Sequence, residues 1–93
     1  MKRKLLRSTA FIRAAQRHVK KRPHALAAIR EALTRLENDA FDPRLRTHKL
    51  KGDLAGCWSC SAGYDLRIVF DFVQHSGDEA ILLLSVGTHD EVY

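Results

Sequence analysis

Apolar residues recur at helical spacing in the first 40 positions of this 93-residue chain and crowd into strand-like runs after position 56. The change of period divides the sequence into a helical half and a sheet half. Leu5 and Leu6, flanked by bases, read as a short strand. Ser8 and Thr9 then offer N-caps for a helix running toward Arg22, along which Phe11, Ile12, Ala15 and Val19 form the apolar stripe. Arg13, Arg17, Lys20 and Lys21 take the remaining surface of that helix. Pro23 ends it and opens a second helix, in which Leu26, Ile29, Leu33 and Leu36 recur at i, i+3, i+7 and i+10. Glu31 and Arg35 are spaced to pair along the second helix, and Asn38-Asp39 followed by Asp42-Pro43 marks its end.

Residues 44–56 read as a basic loop anchored by Leu50 and Leu54. Three strands follow at 57–62, 64–73 and 79–86, separated by Gly63 and by the turn H-S-G-D at 75–78. In the middle strand Leu66, Ile68, Phe70 and Phe72 occupy one face and Asp65, Arg67, Val69 and Asp71 the other. The predicted fold class is α+β: a helical hairpin packed on one face of a small, mainly antiparallel sheet, leaving the second face open. With 93 residues, 45% of them hydrophobic, the chain suffices for one domain spanning 1–93.

Charge adds a partner class to this picture. Residues 1–51 carry 15 Lys or Arg against 4 Asp or Glu, whereas residues 52–93 carry 1 against 7. A basic first half within a net charge of +5 points to a polyanionic partner, nucleic acid or an acidic protein. The longest apolar run, Ala80 to Val86, is far below the roughly 20 residues of a membrane helix, and the basic start MKRKLLR is not followed by a signal-peptide core. A cytoplasmic protein is expected. Cys57 and Cys60 stand as C-W-S-C in a strand-like segment, where a redox pair would want a helix N-terminus and a zinc site two further ligands, so two reduced thiols are expected.

Candidate chemistry gathers at the open face. Asp65 and Arg67, two apart on a strand, project from one side, either as a surface ion pair or as part of a site. His89, just past the last strand in G-T-H-D, and His48, in the basic loop, border the same face, and each is either a solvated histidine or a site residue. Two imidazoles, a carboxylate and an arginine make a set able to cleave RNA with no metal or cofactor. Tyr93 could stack on a base. His18, His24 and His75 receive no role, and Trp58 reads as core or partner-facing. The sequence holds no phosphate-cradling glycine loop, H-E-x-x-H or G-x-S-x-G.

The runs H-K-L-K-G-D-L-A-G-C-W-S, Y-D-L-R-I-V-F-D-F and L-S-V-G-T-H-D-E-V-Y resemble the RelE/ParE toxin superfamily, in its YafQ-like and RelE/StbE branches. The resemblance covers nearly the whole chain and implies a β-α-α-β-β-β order. It also implies a toxin of a type II toxin–antitoxin module that cuts messenger RNA on the ribosome without metal or cofactor. A cognate acidic antitoxin would restrain it in a toxin–antitoxin hetero-oligomer. Carried over, His48, Asp65 and His89 match positions of the acid/base set, Arg67 the arginine that contacts the scissile phosphate, and Tyr93 the C-terminal aromatic. Arg46, Lys49 and Lys51 would grip RNA backbone beside them. The pattern is broken at Ser61, where the YafQ-like branch has a further histidine. Two alternatives share the fold: a ParE-like toxin that inhibits DNA gyrase without nuclease activity, and a degenerate, non-toxic binding module.

Overall fold

In a computed structural model, which describes residues 2–92, strand β1 (Lys4–Arg7) leads into helices α1 (Thr9–Lys21) and α2 (Ala25–Asn38). Strands β2 (His48–Lys49), β3 (Trp58–Ala62), β4 (Leu66–His75) and β5 (Asp78–Thr88) follow, and a short helix α3 (His89–Val92) closes the chain. The strands form one sheet in the order β1-β5-β4-β3-β2. Among the described strands only β1 runs parallel to its neighbour, with Leu5 beside Ile81 of β5, while the two helices that follow β1 carry the chain to β2 at the opposite edge of the sheet. The α+β class and the helical hairpin are as the periodicity predicts.

The start of α1 is set locally. The Ser8 hydroxyl accepts from the Phe11 amide at 3.0 Å while the Ser8 amide donates to the Leu83 carbonyl at 3.1 Å, so one residue caps the helix and ties it to β5. Phe11, Ile29, Leu33 and Leu36 bury one side of the hairpin against Ile68, Phe70, Ile81, Leu83 and Val86 of the sheet. Phe70 is fully buried, a contribution of roughly 1.5–3 kcal/mol from its side chain. Glu31 and Arg35 form the expected ion pair.

Four features depart from the sequence reading. Ile12 and Leu26, assigned to the apolar stripes, are 41% and 38% exposed. The small residues Ala14, Ala25 and Ala32 take buried places instead, because close approach of the helices to the sheet favours side chains without reach. The stretch after α2 is not a plain loop: 3-10 turns at Pro43–Leu45 and Gly52–Leu54 flank β2, which pairs with Ser59 and Trp58. Leu45, with no exposed surface, anchors it more deeply than Leu50 or Leu54. β4 begins at Leu66, so Asp65 belongs to the hairpin turn and not to the strand.

The second face of the sheet is also only partly open. Val69 on that face is 4% exposed, and Leu54, Cys57, Leu84 and Val92 surround a groove beside it. Apolar side chains at Val69 and Leu84 need such cover. A β-bulge prepares it: Val69 pairs with Ser85 but Phe70 pairs with Leu83, leaving Leu84 as the extra residue.

Candidate active site

Four segments converge where β3 and β5 end and β4 begins. The 3-10 turn at Pro43–Leu45 delivers Arg44 and Arg46, the β3–β4 turn delivers Gly63, Tyr64 and Asp65, β4 delivers Arg67, and the β5–α3 junction delivers Thr88, His89 and Asp90. With Ser61 they line an open cleft of about 630 Å³. Three arginines face two carboxylates there, so the cleft favours an anion.

Each member has a structural reason for its place. Asp42 accepts from the Arg44 amide at 2.9 Å and holds the Arg44 guanidinium through Nε at 3.1 Å and Nη2 at 2.7 Å. These bonds, the Arg44 side chain first, hold the Asp42 carboxyl down at about 2. The tightened turn places Arg46 in the left-handed region (φ 52°), which sends its side chain to the cleft. Arg67 lies between Ser61 of β3 and Gly87 of β5 in the sheet register, so a hydroxymethyl and a bare backbone flank it. Its Nη1 donates to the Leu66 carbonyl at 2.9 Å. α3 folds back closely over Gly87: a Cβ there would stand 3.1 Å from the Glu91 Cβ, tighter than ordinary contact.

His89 opens α3, and α3 is held by a reciprocal cap. Glu91 Oε1 accepts from the Thr88 amide at 2.8 Å, and Thr88 Oγ1 from the Glu91 amide at 3.4 Å. The first of these bonds is the main reason the Glu91 carboxyl lies below its ordinary value. His89 Nδ1 is 3.7 Å from Asp90 Oδ1, with the imidazole largely exposed to the cleft.

Of the residues expected at a site, Arg46, Asp65, Arg67 and His89 therefore share the cleft. Asp65 has a different partner from the one its spacing suggests: it pairs with Arg22, the residue that ends α1. A turn, unlike a strand, does not hold i and i+2 side by side, and the helix end brings the guanidinium to it. His48 stands back from the cleft wall. It pairs with Ser59 at the edge of the sheet, on the Arg67 face, and its Nδ1 is 3.0 Å from the Arg46 carbonyl oxygen. Two strands and two residues separate it from Arg67, about 12 Å by strand geometry.

Lys49 points to the opposite face, its Nζ 5.7 Å from the centroid of the Trp58 ring, and Lys51 is exposed outside the cleft lining. Trp58 joins an aromatic cluster with Phe41 and Phe72. Tyr93 lies outside the described residues. Cys60 is fully buried, with burial pushing its thiol up to about 12, and Cys57 is half-buried; both are free thiols. Sequence reasoning missed Arg44, read only as part of a turn, and Tyr64, whose signal was an aromatic placed directly after a turn glycine. It also missed His18, which packs against Glu91.

Residues 3–93 match the family model described as "Bacterial toxin of type II toxin-antitoxin system, YafQ". No curated protein matches the chain. Among solved structures, YafQ from Escherichia coli BL21(DE3) superposes with a TM-score of 0.76 at 16% identity, covering 98% of each chain. The YoeB/ParE toxin from Agrobacterium tumefaciens gives 0.74 at 17% identity over 92% of this chain and 98% of its own. The E. coli DinJ-YafQ toxin-antitoxin complex gives 0.74 at 17% identity over 100% and 99%. At such identities these likenesses speak to the fold.

Proposed function

The chain belongs to the YafQ family of type II toxin–antitoxin toxins, and on that premise we propose that it is a ribosome-dependent, metal-independent endoribonuclease that cleaves messenger RNA. The observation that carries this reading is the convergence of Arg46, Asp65, Arg67 and His89 on one open, cationic cleft. In the proposed reaction a base takes the proton of a ribose 2′-OH, and the oxygen attacks the adjacent phosphorus. The P–O5′ bond breaks, and an acid protonates the departing 5′-oxygen, leaving a 2′,3′-cyclic phosphate and a 5′-hydroxyl. Arg67, anchored in mid-sheet, balances the charge of the phosphorane, and Arg46 holds the neighbouring backbone. The proton-transfer groups are drawn from His89, Asp65 and His48. His89 has the most direct access to the cleft, Asp65 is neutralised by Arg22, and His48 acts from the sheet edge beside the Arg46 backbone.

The proposed partners follow from charge and kinship. A solved relative is a DinJ-YafQ toxin-antitoxin complex, and the basic first half of this chain suits an acidic antitoxin that folds on binding into a hetero-oligomer. The site of action is the cytoplasm, where ribosomes and messenger RNA are; among the described residues no helix is long and apolar enough to cross a membrane.

Inducing the protein in bacteria and mapping new messenger RNA 5′ ends tests the reading, with His89→Ala, Arg67→Ala and His48→Ala compared at equal soluble levels. Cuts inside translated regions, lost in His89→Ala and Arg67→Ala, are the expected result. Growth arrest without cuts, indifferent to these changes, would move the assignment to a bound target such as gyrase. Absence of arrest would mark a binding module.

A further inference from the structure

Tyr64 is 97% exposed, an unusual position for a large aromatic ring, and it stands on the rim of the arginine-lined cleft. Solvent exposure forfeits the burial that makes aromatic residues valuable in a fold, so packing does not account for it. Nor is the turn that carries it loose. Gly63, at φ 66°, lies so close to α2 that a Cβ there would come within 2.9 Å of the Ala28 Cβ. On the other side Asp65 is paired with Arg22 at the end of α1. The turn that displays the ring thus packs closely on α2 at Gly63 and is paired to the end of α1 through the Asp65 side chain.

We infer that Tyr64 is a stacking platform for an unpaired nucleobase of the RNA strand held in the cleft. The inference rests on the nuclease reading above. Arg46 and Arg67 supply the backbone grip, and a strand gripped by its phosphates turns its bases outward, toward the rim where the ring stands. Every base offers a π-face, so the contact adds affinity and alignment with little sequence preference. The turn sets where the ring starts from, and ordering a tyrosine on binding fixes only two side-chain torsions. Tyr64 contributes no proton transfer; it is a binding residue.

The test uses the full chain on purified ribosomes programmed with a short synthetic messenger RNA, and a series in which one nucleotide at a time near the cut lacks its base. Tyr64→Ala is expected to cleave with kcat/KM about ten-fold lower, and Tyr64→Phe within about two-fold of wild type. One baseless position should slow the wild type by a similar factor and leave Tyr64→Ala no slower. Unchanged melting temperatures, expected for so exposed a side chain, show that the variants fold. Equal cleavage by Tyr64→Ala and wild type overturns the stacking role alone. So does an equal loss in Tyr64→Phe, which would assign the effect to the hydroxyl, or a baseless series that slows both proteins alike. A wild type that cuts no messenger RNA in this system overturns the nuclease reading and the stacking role with it.

Discussion

His18 of α1 and Glu91 of α3 face one another across the end of β5, with the imidazole Nε2 3.1 Å from the carboxylate Oε1. The contact lacks the alignment of a hydrogen bond, which leaves Nε2 buried without one. Glu91 also closes the reciprocal cap with Thr88, so a single carboxylate ties the four-residue helix that carries His89 both to its own start and to α1. Four residues are too few to hold a helix by propensity. The orientation of His89 is therefore a tertiary property.

Glu91→Ala is expected to lower cleavage in step with looser α3 amides, seen as faster hydrogen exchange, at a global cost of about 1 kcal/mol or less. Cleavage at the wild-type rate with frayed α3 amides would show that the helix does not position His89. The pH dependence has a definite sign. Folding lowers the Glu91 carboxyl below 4.5, chiefly through the Thr88 amide, so its contribution is complete above 4.5 and fades as pH falls through the lowered value. Urea unfolding of wild type and Glu91→Gln should differ near neutrality and converge in acid.

Gly63→Ala should destabilise the protein by about 2 kcal/mol, because the residue combines a positive φ with the 2.9 Å approach to Ala28. The pair separates the two causes. In a double-mutant cycle with Ala28→Gly the steric share is recovered and the backbone share is not. Strict additivity of the two changes would contradict the close packing of the turn on α2.

Arg46→Gly should separate function from stability. The residue already sits in the left-handed region at φ 52°, which glycine adopts freely, so the stability change should stay within about 1 kcal/mol. Loss of the guanidinium should reduce cleavage at least several-fold. A variant as active as wild type would remove Arg46 from the site.

The two thiols should react in sequence. Cys57 is half-buried, whereas Cys60 is fully buried with its thiol raised to about 12 by burial, against a smaller opposing pull from Arg67. At pH 8 an alkylating reagent should modify Cys57 in the native protein and Cys60 only after denaturation. Equal rates for both would mean that the β3–β4 core opens readily.

The helical hairpin and the three long strands were legible in the sequence because each rests on a local rule. Leu36 and Ile29 mark a helix by spacing, Ser8 marks its start by capping, and Gly63 and the H-S-G-D segment mark turns. What the tertiary structure alone decided depends on residues far apart in the chain. The run I-L-L-L-S-V has no period of two, so the bulge at Leu84 and the cover over Val69 could not be read from it. β2 is two residues long and exists only because Ser59 and Trp58 offer an edge. Asp65 took Arg22 from 43 positions away in preference to its near neighbour Arg67. Lys49 and His48, adjacent in sequence, were sent to opposite faces by that short strand, which put one over Trp58 and the other beside the Arg46 backbone. Periodicity and capping are properties of a segment and its solvent, and a sequence states them. The closing of a cleft is a choice among partners, made by the packing that brings distant charges within reach of one another.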